Sequence, residues 1–263
     1  MELSRTRLAG FAILFVVTIL ASLLVTGFLS KPAPSAEKRF VVIRVDDIQD
    51  YAFAEGQHFL LNYSAESSIP LSLSVIAGEF GSDKRIVDGL RSALNSGCEV
   101  TIHGWQHENL SSFSVVEQTR LLFESKSRLK ELLNVTASVL VPPTFGFNND
   151  TLKAMKVEGL TIISTISEFS DEKILSGVLN IPATVELSVL ANGVWKIKSV
   201  DSLAEEIEKS LGFYGYAVIV THPQEFMSNG TMNQATTESY VRLLKKIGKT
   251  CQFTTFENLS LRK

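Results

Sequence analysis

The chain has 263 residues, 45% of them apolar, and a net charge of −3. This is enough apolar material for one large core plus an appendage, and the acidic balance excludes the basic face that nucleic-acid binding requires. Two cysteines, Cys98 and Cys251, are too few for a disulfide framework. Each opens a strand-like stretch and reads as a small core thiol, with a single long-range bridge as the alternative.

The appendage comes first. Leu8 to Ser30 is a run of 23 residues without a charge, which as a helix reaches roughly 35 Å, enough to cross a hydrocarbon core of about 30 Å. Arg5 and Arg7 precede it, so the positive-inside rule keeps the N-terminus in the cytoplasm and puts everything after Lys31 outside. The expected arrangement is a cytoplasmic stub and signal anchor over 1–30, a Pro-rich linker over 31–37, and one domain over 38–263. The chain is then a single-pass membrane protein, or a secreted one if cleavage occurs near Ala33 or Ala36. Six Asn-x-Ser/Thr sequons, at Asn62, Asn109, Asn134, Asn149, Asn229 and Asn258, fit an extracytoplasmic, glycosylated domain.

Within the domain, short β-rich runs alternate with segments of helical spacing. The runs are 40–45, 71–76, 99–102, 138–141, 160–166, 217–221 and 252–256. The helical segments are 83–95, 115–133, 150–158, 202–211 and 234–247, and 170–199 is less regular, with room for extra strands or a hairpin. Continuous apolar strands separated by helices predict a parallel sheet covered on both faces, here a distorted α/β barrel of about seven strands.

The residues able to do chemistry cluster in this frame. Asp46 and Asp47 end the first run, His103 ends the third, Pro142 and Pro143 end the fourth, and His222 ends the run 217–221. In a parallel barrel all these ends open on one face, where active sites form. His103 and His107 are four apart, a spacing that puts both rings on one face of a helical turn. Two imidazoles and a carboxylate make an incomplete shell for a zinc-like ion and leave room for water. Glu108 reads as a charge beside that shell, and His58 as an ordinary helix or surface histidine.

Together these segments resemble the NodB-homology polysaccharide deacetylases, carbohydrate esterase family four. That family carries Thr-Phe-Asp-Asp-Gly at the first strand, His-Ser/Thr-x-x-His at the third and Leu-x-His near the end. The counterparts here are Arg44-Val45-Asp46-Asp47-Ile48, His103-Gly104-Trp105-Gln106-His107 and Val220-Thr221-His222. The resemblance spans 40–256. It implies that Asp47, His103 and His107 hold a divalent ion, most often Zn2+, with Co2+, Ni2+ or Mn2+ as alternatives and no other cofactor. It further implies Asp46 as catalytic base, His222 as catalytic acid, and an acetylated glycan as substrate. The chemistry agrees, since a divalent ion polarises an acyl carbonyl and acidifies water, while a base and an acid move the protons.

Two departures stand out. Ile48 replaces the motif's Gly, and the segment Leu140-Val141-Pro142-Pro143-Thr144-Phe145 lacks the Arg that orients the base in the family. Arg44 lies two residues before Asp46, so strand alternation points both side chains to one face, where a guanidinium could hold Asp46 ionised. Trp105 and Phe145, with Pro143 beside them, are candidates to stack on a sugar ring. The rival readings are a metal- or glycan-binding module that has lost turnover, and a glycoside hydrolase using Asp46 and Asp47. Adjacent carboxylates are poorly placed to flank a glycosidic bond across about 5–9 Å, and that second rival leaves the histidines unused.

Overall fold

In a computed structural model the described residues are 39–167, 174–191 and 193–262. The expected span and linker, 8–37, lie outside them. No helix among the described residues is long and apolar enough to cross a membrane. Residues Arg39–Lys263 form one compact unit.

The chain runs β1 (Phe40–Ile48), α1 (Ala54–Ser67), β2 (Ser72–Val75), α2 (Lys84–Asn95), β3 (Glu99–Ile102), α3 (Val115–Leu133), β4 (Val139–Leu140), α4 (Asn149–Val157) and β5 (Ile162–Ile163). Then come β6 (Ile174–Leu175), β7 (Val178–Asn180), β8 (Val185–Glu186), β9 (Ser188–Ala191), β10 (Val194–Ile197), α5 (Val200–Tyr214) and β11 (Tyr216–Thr221). The chain ends with β12 (Met227–Ser228), β13 (Thr231–Met232), α6 (Gln234–Ile247), β14 (Gln252–Thr254) and α7 (Phe256–Ser260).

The principal sheet has the order β6-β7-β5-β4-β3-β2-β1-β11-β8, with β14 also beside β1. Its pairings are parallel except for the antiparallel β6–β7 hairpin. Val41, Val42, Ile43 and Val45 of β1 are completely buried, as a central strand covered on both faces must be. The expected distorted barrel of about seven strands is an α/β half-barrel of parallel strands. Its ladder is interrupted between β5 and β11, where one segment crosses the gap: β7 pairs with β5, and β8 in the same stretch pairs with β11. Among the described residues an isolated parallel bridge, Ile166–Ala183, lies between them.

Helices 115–133 and 234–247 lie where the spacing puts them, for local reasons. In α3 the Ser114 side chain accepts from the Glu117 N–H, and Leu121, Leu122, Leu129 and Leu133 fall on the buried face. The chain leaves this helix at Asn134, whose φ of 57° is a left-handed stop. In α4 the Asn148 side chain and Thr151 form a reciprocal capping box. The helix α1 carries no periodic signal, since its buried residues Gly56, Gln57, Leu60, Leu61 and Ser64 mix polarities instead of forming an apolar stripe. Its helical state is imposed by packing against the β11–β12 connection and α2.

Residues 170–199 contain two hairpins, β6–β7 and the antiparallel β9–β10. Cys98 and Cys251 are both free, and Cys98 is buried, with its sulfur accepting from the Leu71 N–H at 3.3 Å. All six sequon asparagines are exposed. At the end of the sheet away from the site, the buried Glu99 carboxylate accepts from Ser72 Oγ (2.7 Å), Phe256 N–H (3.0 Å) and Glu257 N–H (2.9 Å). These bonds tie α7 to β2 and β3.

Candidate metal centre and proton-transfer site

Parallel register decides which residues meet. Arg44 and Val45 of β1 pair with Val220 and Thr221 of β11, so the following residues, Asp46 and His222, emerge side by side. Ile48 pairs with Val75, and Val75 with Ile102, which brings His103 to the same edge. The β1–β2 register shifts between Val45 and Ile48, and there Asp47 adopts a left-handed φ of 61°. This bulge turns Asp47 away from the direction plain alternation would give it.

The predicted helical turn at 103–107 is a loop. Gly104 (φ 76°) and His107 (φ 60°) are both left-handed, so the chain doubles back and returns His107 toward His103. A side chain at Gly104 would combine that backbone strain with a contact of 3.0 Å to Pro143 Cγ. Glu108 fixes the loop by accepting from the N–H groups of Trp105 (3.0 Å) and Gln106 (2.6 Å). Two of the three candidate ligands, Asp47 and His107, are thus non-glycine residues in a conformation costing about 1–3 kcal/mol each, of the sort that concentrates at functional sites.

Asp47, His103 and His107 each turn one ligand atom inward, all within 4.8 Å of one another. Asp47 Oδ1 is 3.2 Å from Nε2 of both rings, yet it is buried and makes no well-formed hydrogen bond. Two imidazole nitrogens and a buried orphan carboxylate oxygen around one point are a donor set that fits a divalent cation. Second contacts orient these ligands. His103 Nδ1 lies 2.8 Å from the Val141 carbonyl, which fixes the tautomer with Nε2 free to ligate. Gln224 Nε2 donates to Asp47 Oδ2 at 3.1 Å. Burial works to raise the Asp47 pKa, but the two imidazoles outweigh it and hold the carboxyl well below its usual range.

Asp46 and Arg44 are 3% and 1% exposed. Arg44 donates through Nε to both Asp46 oxygens (2.9 and 3.0 Å) and through Nη2 to Oδ2 at 2.5 Å. Its remaining nitrogen, Nη1, reaches the carbonyls of Ser164 and Thr165 and the Ser164 hydroxyl. The Phe145 ring lies under the guanidinium, 5.4 Å from its centre. Burial pushes the Asp46 pKa up, yet the charge of Arg44, then those of His103 and His222, prevail and keep it below the ordinary carboxylate value. Arg44 thus holds the carboxylate that follows it, as strand alternation predicts.

His222 has a partner that sequence reasoning missed. The buried Glu225, three residues on and past Pro223, accepts from the His222 backbone N–H (3.1 Å), and its Oε1 lies 2.8 Å from His222 Nδ1. Thr221 Oγ1 donates to the other Glu225 oxygen at 3.1 Å. Burial alone would lower the His222 pKa, but the bond to Glu225 and the charges of Asp46, Glu225 and Asp47 raise it above its usual value. Trp195, from β10, stacks on the His222 ring at 6.0 Å and 24°. Neither Glu225 nor Trp195 sits in a motif, although the i, i+3 spacing across Pro223 was a readable sign for the first.

The two aromatic residues chosen from sequence, Trp105 and Phe145, are each partly buried. Trp105 is half-buried and packs over Gly78, where an added Cβ would come within 2.7 Å of the indole. Phe145 carries Arg44, and Pro143 is buried at the start of a one-turn 3-10 segment. His58 lies on α1.

Comparison with known proteins agrees with this layout. Residues 33–163 match the sequence profile described as polysaccharide deacetylase. A solved protein from Mycobacterium smegmatis, described as a polysaccharide deacetylase, superposes with a TM-score of 0.63 at 17% identity, covering 88% of this chain and 91% of that one. A family 4 acetyl xylan esterase from Clostridium thermocellum, solved with a cobalt ion, gives 0.57 at 12% identity over 84% and 89%. A pseudoenzyme of carbohydrate esterase family four from Bacillus anthracis gives 0.58 at 14% identity over 87% and 69%. No curated protein matches the sequence. The profile match covers the strands that carry the two Asp residues and both candidate His ligands, and the fold is that of the solved relatives. The chain belongs to the NodB-homology polysaccharide deacetylase family.

Proposed function

We propose that this protein is a metal-dependent hydrolase that removes acetyl or similar acyl groups from an N-acetylated glycan. The observation that carries the reading is the juxtaposition, at one sheet edge, of the Asp47–His103–His107 donor set with two separately supported proton-transfer groups. Asp47, His103 and His107 would hold the ion. When bound, it supplies Lewis acidity toward the acyl carbonyl and the attacking water. Asp46, kept ionised by Arg44, accepts the proton of that water. His222, kept protonated by Glu225, donates to the leaving nitrogen. Neither step leaves a covalent bond to the protein. Zn2+ suits the nitrogen-rich donors, and Co2+, Ni2+ and Mn2+ are the alternatives. The domain acts on the extracytoplasmic side of the membrane, held by the apolar segment 8–30 and glycosylated at exposed sequons other than Asn109, where a glycan would crowd His107.

A second reading is a non-catalytic metal- or glycan-binding module. The missing motif Arg favours it, as does the likeness to a pseudoenzyme of the same family. One experiment separates the two. The full chain in detergent is assayed for bound zinc and for acetate released from N-acetylated oligosaccharides. The hydrolase reading expects zinc and acetate in the wild type, neither in His103→Ala, and zinc without acetate in Asp46→Asn. Zinc without acetate in the wild type would establish the binding module instead.

A further inference from the structure

Asp46 and Asp47 are adjacent in the chain, yet the fold gives them partners of different charge. Asp46 receives the Arg44 guanidinium, a full positive charge that holds it ionised. Asp47 Oδ2 receives the carboxamide of Gln224, 177 residues away. A neutral donor fixes an oxygen without neutralising it, so the charge of Asp47 stays available to a cation. A lysine or arginine in the place of Gln224 would compete with an ion for that charge. Chemistry also fixes which way the amide points. Turned over, Gln224 would set Oε1 against the carboxylate, oxygen facing oxygen, so Nε2 is the atom that meets Asp47. In this orientation Gln224 Oε1 is buried with no hydrogen-bond partner among the described residues. The side chain leaves its own acceptor unpaired to supply a donor at Oδ2, while Oδ1 is the oxygen turned toward His103 and His107.

The mount of this amide is rigid. Gln224 stands in the one-turn 3-10 segment Pro223–Phe226, directly after His222. On one side the Pro223 carbonyl lies so close to Gly56 of α1 that a Cβ added there would collide with its oxygen. On the other, the completely buried Phe226 ring packs on Phe59 at 5.3 Å and on Tyr240 at 5.2 Å. Glu225, in the same turn, holds His222. One short turn therefore positions the candidate acid through Glu225 and a candidate metal ligand through Gln224. Packed backbone on both sides keeps the amide from following Asp47 if the carboxylate swings, which is what a restraint on a ligand requires.

We propose that Gln224 is a positioning residue for the metal centre: its amide restrains Asp47 to bind through Oδ1 and so sets how tightly the ion is held. The inference rests on the metal reading of the Asp47–His103–His107 donor set, and it is tested on metal binding, without turnover. Zinc affinity is measured by competition with a chromophoric chelator for the full chain in detergent, as wild type, Gln224→Met and Gln224→Asn. The visible bands of the Co2+-loaded proteins and the Tm of the metal-free ones are recorded alongside. Gln224→Met keeps the length of the side chain and removes the donor, whereas Gln224→Asn keeps the donor but stops one carbon short of Asp47.

Each variant should weaken zinc by about 10- to 100-fold, the scale of losing the partner that orients a metal ligand. The Co2+ bands should change as well, because a freed Asp47 carboxylate can offer both oxygens, while the metal-free Tm stays that of the wild type. Zinc affinity within about twofold of wild type in either variant would overturn the role of Gln224 and leave the metal centre standing. Weaker zinc binding with unmoved Co2+ bands and a lower metal-free Tm would also overturn it, since that is the pattern of a structural effect. A wild type that takes up neither Zn2+ nor Co2+ would overturn the metal reading, and this inference with it.

Discussion

Removing the Arg44 guanidinium tests how the base is held. In Arg44→Met the Asp46 carboxylate keeps its 3% exposure but loses the bonds from Nε and Nη2. Taking one member from a buried ion pair costs about 3–5 kcal/mol, because the other charge is stranded. For a domain of this size that corresponds to a Tm fall of roughly 6–20 °C. Arg44→Met/Asp46→Asn no longer strands a charge, so it should recover part of the loss, giving a coupling of at least about 1.5 kcal/mol in the double-mutant cycle. Urea unfolding of the four proteins at pH 7 measures this directly. The same substitution has a kinetic consequence. Without Arg44, burial acts on Asp46 less opposed, its pKa rises, and the acidic limb of the pH–rate profile should move to higher pH. Arg44→Lys should recover less than full activity, since a point charge cannot reproduce contacts to both oxygens. Additive unfolding energies together with an unmoved acidic limb would refute the pairing as the device that holds the base.

Two further outcomes follow from other buried carboxylates. Burial pushes the Glu99 pKa from 4.5 up to about 7 despite its three donors. The folded protein then binds more protons than the unfolded chain between those values, so stability falls as pH rises through the window, by at most about 3 kcal/mol. Glu99→Gln should flatten that slope in urea unfolding at pH 5 and pH 8, and an unchanged slope would show that Glu99 does not titrate there. Glu225→Gln removes the charge that supports His222, so the basic limb of the pH–rate profile should move to lower pH and kcat should fall by about tenfold or more. Bound zinc should stay the same, and an unmoved basic limb would remove Glu225 from the proton-donor assembly.

Much of the layout was legible from local signals. Caps and apolar stripes announce α3 and α6 to the residue, and continuous apolar runs announce the parallel strands. Because parallel strands expose their C-terminal ends together, the order of Asp46, Asp47, His103 and His222 in the chain was enough to bring them to one edge. Strand alternation was also enough to pair Arg44 with Asp46, since residues two apart share a face whatever surrounds them. The helix α1 gave no signal, because its buried face mixes Gly56, Gln57 and Ser64 with leucines and is shaped by its neighbours.

The sequence alone determined which residue types stand at which strand ends, because period and capping are local properties. The tertiary structure decided everything that depends on an exact direction. The bulge at Asp47 and the left-handed turn at His107 aim two candidate ligands at one point, where regular strand and helix geometry would have aimed them elsewhere. Glu225 and Trp195 reach His222 only through a loop and a hairpin from outside the motifs. Trp105 packs over Gly78 and Phe145 lies under Arg44, contacts that their place in the sequence does not announce. Such contacts are set by long-range packing, which no window of neighbouring residues encodes.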